Sequence, residues 1–286
     1  MKVEAKGGSS SLIEGREIPL EKTPILISGF GKMGTLIAKA VEESKDFVLL
    51  PIGLSSERHA QEKILIGDKE ITLIPPELHQ EQLKGLSKST IIVDHSHTSI
   101  ATRNGELFTE AGIPFVMGTS GVDIKRLKKL VAKSEICAVI APNMAPSLVL
   151  VQAMLEYVGK KFPEALKGYI LEIVESHQAA KLGVSQTAKT WAELFQELGC
   201  NLEKAIESIR DPEKQSQLGV KNLAGHGYHW FTMKNPNGTA VVDLSTKIEG
   251  RDPYVEGNLM AFDFLKKQMQ TGVKGEVFSM VNVLKG

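Results

Sequence analysis

The chain has 286 residues, enough for one large domain or two modest ones with a substantial core. Its 42% apolar and 24% charged residues suit a soluble globular protein; 34 basic residues balance 34 acidic ones and no basic patch is interleaved with aromatics, so no nucleic-acid partner is expected. Cys137 and Cys200 form no C-x-x-C pair or metal-ligand spacing, so no metal and a reducing cytoplasm are expected, and no apolar run approaches the roughly 18 residues of a membrane span.

Residues 1–23 are polar, rich in Gly and Ser, and read as a mobile leader with neither a hydrophobic signal core nor an arginine-rich presequence. Ile13-Glu14-Gly15-Arg16 matches an engineered protease site, yet the same letters recur at Ile248–Arg251, so a native leader and an expression scar both stand. Ile25–Ser28 then reads as a buried strand, followed by Gly29-Phe30-Gly31-Lys32-Met33-Gly34 and by Leu36, Ile37, Ala40 and Val41 at helical spacing. Strand, G-x-G-x-x-G and helix together point to a dinucleotide site. Gly29 permits the tight turn, Gly31 lets backbone approach a pyrophosphate, Gly34 lets helix pack on strand, and Lys32 and Met33 open the helix.

A second strand, Phe47–Gly53, should end beside the adenosine ribose. Ser55, Ser56 and Arg58 there suit a 2′-phosphate, whereas Glu57 would suit ribose hydroxyls. The balance favours NADPH and leaves NADH open. Strands follow at Thr90–Asp94, Pro114–Gly118 and Ala138–Ala141, alternating with helical patterns such as Ile124–Ser134, which argues for a parallel sheet covered on both faces. They end in Asp94–His97, Gly118-Thr119-Ser120-Gly121 and Pro142-Asn143, clusters expected around the cofactor at the C-terminal strand ends.

From Ser147 the order changes. A helical stretch to Phe162 leads into a strand at Tyr169–Val174, and a further helix spans Ala188–Leu198 with Trp191, Leu194 and Phe195 on its core face. Gly227–Met233 and Thr239–Ser245 read as a hairpin joined through Asn235-Pro236-Asn237-Gly238, and Val255–Gln270 as a closing helix on the first domain. The expected fold is α/β: a Rossmann-like parallel-sheet domain (24–146 with 252–286) and an α+β substrate and oligomerisation domain with a mixed or antiparallel sheet (147–251).

Glu175-Ser176-His177-Gln178-Ala179-Ala180-Lys181 carries the chemistry. His177 and Lys181 stand four positions apart, on one face if the segment is helical and together at a sheet edge if it is a loop. The imidazole can release a proton near neutral pH, and the ammonium can hold an anion.

These pieces resemble the dihydrodipicolinate reductases, enzymes of lysine and diaminopimelate biosynthesis. The resemblance rests on Gly29–Gly34, Val93–Ser96, Pro114–Gly121, Ala141–Met144, Glu175–Ala188, Gly225–His229 and Gly250–Gly257. It implies NAD(P)H-dependent reduction of a cyclic imine dicarboxylate, with His177 as proton donor and Lys181 and Thr187 as carboxylate ligands. Gln178 and Gln186 would line the substrate site. Gly118–Ser120, Asn143, Asp94 and Arg251 would join the glycine turn, Ser55 and Arg58 at the cofactor. It also implies a homo-oligomer, a tetramer by resemblance. Gly183, Gln186 and Thr246 depart from the family pattern; a Cβ at Gln186 puts the turn geometry and the exact substrate in question. A related reductase for another cyclic imine acid, or a non-catalytic nucleotide binder, are the competing readings. Retention of both His177 and Lys181 argues against the latter.

Overall fold

The computed structural model describes residues 12–13, 16–17, 22–57 and 62–286. Leu12–Ile13 (β1) pairs antiparallel with Arg16–Glu17 (β2). The rest of the expected leader up to residue 21 lies outside the described residues, and Thr23 already belongs to a strand. The elements that follow are β3 (Thr23–Ser28), α1 (Lys32–Glu42), β4 (Phe47–Leu54), β5 (Lys63–Ile66), β6 (Lys69–Ile74), α2 (His79–Lys84), β7 (Ile91–Asp94), α3 (Thr98–Ala111), β8 (Phe115–Met117), α4 (Ile124–Val131) and β9 (Ala138–Ile140). After them come α5 (Pro146–Lys161), β10 (Ile170–His177), α6 (Gln186–Glu197), β11 (Asn201–Leu202), β12 (Glu207–Ile209), α7 (Pro212–Gln217), β13 (His226–Lys234), β14 (Val241–Glu249), α8 (Asp252–Gln270), β15 (Val277–Phe278) and α9 (Met280–Lys285). The chain divides into two compact units, Met1–Met144 with Val255–Gly286, and Ala145–Tyr254.

Among the described residues the first unit holds an eight-stranded sheet in the order β15-β9-β8-β7-β3-β4-β6-β5. Every neighbouring pair is parallel except β5–β6. The central strands β7, β8 and β9 are buried throughout, as a parallel sheet covered on both faces requires. Phe108 of α3 and Leu127 of α4 pack against Ile92, Phe115 and Ala138, all fully buried. Each such Phe or Leu contributes roughly 1.5–3 kcal/mol by leaving water. The order places the C-terminal ends of β3, β4, β7, β8 and β9 along one edge of this sheet.

The second unit is built on β11-β10-β13-β14, with β12 also paired to β10. β10 runs antiparallel to β13, which runs antiparallel to β14. The hairpin loop closes with the Asn235 N–H donating to the Ala240 carbonyl at 3.0 Å, and Gly238 sits there at φ +71°. On one face α6 lays Trp191 and Phe195 against Phe231, with ring centroids 5.2 and 5.5 Å away. β10 extends past the expected Val174 to His177, because β13 supplies a partner for every residue of it. The segment after His177 is therefore a loop, and the helix begins at Gln186.

Candidate active site

In the first unit, Gly29 takes φ +91°, and a Cβ there would lie 2.8 Å from the His95 and Ser96 backbone. Its N–H donates to the Leu54 carbonyl at 2.9 Å, which ties the turn to the end of β4. A Cβ on Gly34 would stand 2.0 Å from the Gly29 carbonyl oxygen, so α1 packs this closely only with glycine. Gly31, the N-cap of α1, has nothing within 4 Å of its would-be Cβ. Exposed Lys32 and half-buried Met33 follow in the first helical turn. Open backbone N–H groups at a helix start form a cradle that fits a pyrophosphate.

The neighbouring strand ends are organised by Asp94. Its fully buried carboxylate accepts from Ser28 Oγ (2.9 Å), Asn104 Nδ2 (2.9 Å), Ser96 Oγ (2.8 Å) and Thr119 Oγ1 (3.0 Å). These bonds tie the ends of β3 and β7 to α3 and to the turn after β8. Thr119 is likewise buried, its hydroxyl turned inward to Asp94. Ser120 is exposed and Asn143 half-buried, just past β8 and β9 respectively. Gly118 leaves space for the His95 ring, which a Cβ would meet at 2.2 Å. Burial lowers the His95 pKa, and Nε2 lies 3.0 Å from Asn258 Oδ1.

At the end of β4, Ser55 is 8% exposed and donates its hydroxyl to the Ile74 carbonyl at 3.1 Å. Ser56 and Glu57, which follow it, are exposed. Arg58 lies outside the described residues. Arg251 belongs to the second unit, where a guanidinium nitrogen lies 3.1 Å from the would-be Cβ of Gly225. That places it on a different unit from the glycine turn.

The second unit gathers His177, His229 and Glu175. His177 ends β10 opposite Gly227, and its Nε2 lies 3.2 Å from the would-be Cβ of that glycine. The His229 ring stands edge-on to it, 5.1 Å between centroids. Glu175, two residues back and fully buried, accepts from Arg210 Nη2 (2.6 Å) and Ser208 Oγ (2.9 Å) on Oε1, and from the Ser185 N–H (3.0 Å) on Oε2. Burial pushes the Glu175 carboxyl up, but the hydrogen bonds from Ser185 and Arg210 outweigh it and hold the pKa at about 2. Burial, then the charges of His229, Lys181 and Arg210, push His177 down to about 3 against the pull of Glu175. His229 falls to about 4, mainly through burial. Both imidazoles thus lie well below the ordinary histidine value of 6.5 in the ligand-free protein.

Beyond the strand, the Lys181 N–H donates to the Gln178 carbonyl at 2.9 Å, which turns the loop. The Lys181 ammonium has no hydrogen-bond or ion-pair partner among the described residues. Ser185 caps α6 by accepting from the Ala188 N–H at 3.1 Å. Gln186 and Thr187 form the first turn of this helix, and Gln178 and Thr187 are half-buried. Gln186 needs no left-handed backbone, and its amide donates to Thr190 Oγ1 at 3.2 Å, along the helix and away from its open end. Thr246, another departure from the family pattern, places its hydroxyl 3.2 Å from His229 Nδ1.

Sequence reasoning did not assign parts to Glu175, Arg210 or His229. The register of β10 with β12 and β13 brings them together, and no local spacing reveals that register. Glu175, His177 and His229 set three possible metal ligands within 4.8 Å of one another. Arg210 already neutralises Glu175 and Lys181 adds positive charge, so the local field suits an anion better than a cation. A cavity of about 730 Å³ in the first unit is lined by Thr23, Ser89, Pro114 and Cys137. Those residues precede or open their strands, the end opposite the glycine turn, so this cavity is not the nucleotide site.

Residues 23–144 match the family model described as dihydrodipicolinate reductase, N-terminus, and residues 147–284 that of dihydrodipicolinate reductase, C-terminus. The chain belongs to the dihydrodipicolinate reductase family. It is 35% identical over 275 residues to the probable 4-hydroxy-tetrahydrodipicolinate reductase 1, chloroplastic, of Oryza sativa subsp. japonica, covering 93% of this chain and 80% of the relative. Identity to the 4-hydroxy-tetrahydrodipicolinate reductase 1, chloroplastic, of Arabidopsis thaliana is 34% over 276 residues, covering 94% and 79%. The dipicolinate-bound dihydrodipicolinate reductase from Paenisporosarcina sp. TG-14 shares the fold, with a TM-score of 0.65 at 18% identity over 91% of this chain and 99% of that one. This reductase is thus an NAD(P)H-dependent oxidoreductase of lysine and diaminopimelate biosynthesis, with a pyridine nucleotide as cofactor. The chloroplastic relatives overturn the expected cytoplasmic location. Cysteine usage separates reducing from oxidising compartments and cannot tell one reducing compartment from another.

Proposed function

We propose that this reductase converts dihydrodipicolinate to tetrahydrodipicolinate with NADPH, using His177 as proton donor and Lys181 as carboxylate anchor. The observation that carries the proposal is the grouping in the second unit of a half-buried imidazole, a cation without a partner among the described residues and the N-terminus of α6. An anionic acid lying against Lys181 gains charge-assisted bonds there, and Thr187 with the first N–H groups of α6 offers donors to the same anion. Gln178 would contribute its amide to the substrate, and the Gln186 side chain leaves the helix end open.

The glycine turn fits the cofactor: Gly31 leaves its backbone open, and Gly29 and Gly34 fix the approach of α1. When bound, NADPH supplies the hydride. His177 supplies the accompanying proton, which the neutral free form does not carry. A dicarboxylate brings two negative charges beside the imidazole and cancels the charge of Lys181, so the pKa of His177 rises when the acid arrives. Protonation is thereby linked to substrate. We take the cofactor to be NADPH with NADH as the weaker alternative, a preference that hangs on Arg58.

The assay is nicotinamide oxidation by the purified chain with dihydrodipicolinate generated in situ. Turnover with NADPH exceeding that with NADH is expected. Binding of nucleotide without turnover of this acid would overturn the substrate assignment.

The chain is also proposed to self-associate. Leu150, Met154, Tyr157 and Phe162 of α5 and the residue after it are each more than half exposed, on spacings that keep the first three on one helix face.

A further inference from the structure

One guanidinium in the second unit grips two separate pieces of chain. Arg210 Nη2 donates to Glu175 Oε1 at 2.6 Å and to the Gly183 carbonyl at 2.9 Å, and Nε donates to the Lys181 carbonyl at 3.3 Å. Glu175 sits on the strand that ends in His177, and Lys181 and Gly183 belong to the loop that carries the ammonium. Gly183 adopts φ +64°, a conformation that aims its carbonyl at the guanidinium with little strain only in glycine. The partner strand fixes Arg210 in turn: Ser208 lies directly beside Glu175 in the register, and Gln215 Nε2 donates to both the His177 carbonyl (2.7 Å) and the Ile209 carbonyl (3.2 Å).

We propose that Arg210 and Glu175 form a positioning pair for the reduction, clamping the His177 strand and the Lys181 loop into one rigid anion-receiving edge. The inference rests on the reductase reading above and adds to it a part for residues that touch neither substrate nor cofactor. Only a planar fork reaches a carboxylate and two carbonyls at once; the single nitrogen of lysine cannot hold all three in those directions.

The carboxylate has a second part. His177 Nδ1 is buried without a hydrogen-bond partner among the described residues, and Glu175 Oε2 lies 3.7 Å from it. A small rotation of the ring on proton uptake turns this gap into a charge-assisted bond. The charged or titratable groups facing His177 are Glu175 on its own strand, His229 on β13, Lys181 on the loop and Arg210 after β12. Of these only Glu175 favours the imidazolium. Removing its charge makes His177 in the substrate complex lose its proton at lower pH, so the alkaline limb of the rate profile moves acidward. Removing the charge of Arg210 moves that limb the other way.

The experiment compares wild type with Arg210→Lys, Arg210→Gln and Glu175→Gln. We expect Arg210→Lys to fold, bind NADPH as wild type does, and lose about 30-fold or more in kcat/KM for dihydrodipicolinate, with added guanidinium restoring part of the loss to Arg210→Gln. The alkaline limb moves acidward in Glu175→Gln and alkaline in Arg210→Gln. Hydrogen exchange of residues 181–185 accelerates in both Arg210 variants while that of β13 and β14 is kept. Wild-type kinetics and exchange in Arg210→Lys, or limbs that shift in the same direction, overturn the inference. If wild type itself turns over no dihydrodipicolinate, the reductase reading fails, and unchanged exchange at 181–185 separately rejects the clamp.

Discussion

At His177 and His229 the folded protein and the unfolded chain differ over a proton. Both imidazoles are neutral when folded, with pKa values pushed to about 3 and about 4 from 6.5. Between 6.5 and those values the unfolded chain binds more protons, so stability rises with pH and is lost as pH falls through that window. Glu175 acts in the same direction further down: its folded pKa of about 2 lies below the ordinary 4.5, so its contribution is present above 4.5 and lost as pH falls towards 2. Thermal melts of the second unit should therefore show progressive acid destabilisation starting near pH 6. Replacing His229 by Gln, which cannot take up that proton, should flatten the upper part of the slope. Lys181 is tested by kinetics. Lys181→Ala should raise KM for the dicarboxylate and lower kcat, and an unaltered KM removes it from the anion site.

Among the elements, the strand–turn–helix at Ile25–Val41 was legible because glycine leaves a physical signature: φ +91° at Gly29 and a 2.0 Å approach at Gly34 admit no side chain. Gly34→Ala should thus cost about 3 kcal/mol or weaken nucleotide binding by displacing α1, as overpacking against backbone cannot relax cheaply. A variant with wild-type melting and nucleotide affinity contradicts that packing. β7, β8 and β9 were legible as short apolar runs, broken only by Asp94 at the end of β7. The β5–β6 hairpin and β12 were not. β5 is four residues at the sheet edge with Lys63 and Leu65 exposed, and β12 is three mostly exposed residues whose strand character comes from pairing with β10. The residues missed at the site follow from this. Arg210 is placed by β12, so a reading that lacks β12 has no route to the Glu175 clamp. Ser55 and Asp94 were located correctly at their strand ends, yet hydroxyl and carboxylate direction depends on neighbours such as Ile74 and Asn104 that no strand pattern names.

For the whole molecule, the candidate site residues are divided between the two units. The first presents the glycine turn; the second presents His177, Lys181 and the start of α6. The exposed apolar face of α5 bears on assembly. Met154→Glu with Tyr157→Glu should lower the sedimentation coefficient towards that of a monomer, and a wild-type chain that sediments as a monomer removes the proposed self-association.

His177 is proposed as a donor that acts only in the substrate complex. The decisive measurement is steady-state kinetics of His177→Ala beside its equilibrium binding of NADPH. A fall in kcat of about 10²- to 10⁴-fold with nucleotide affinity intact is predicted. Wild-type turnover, or equal loss of turnover and nucleotide binding, contradicts it.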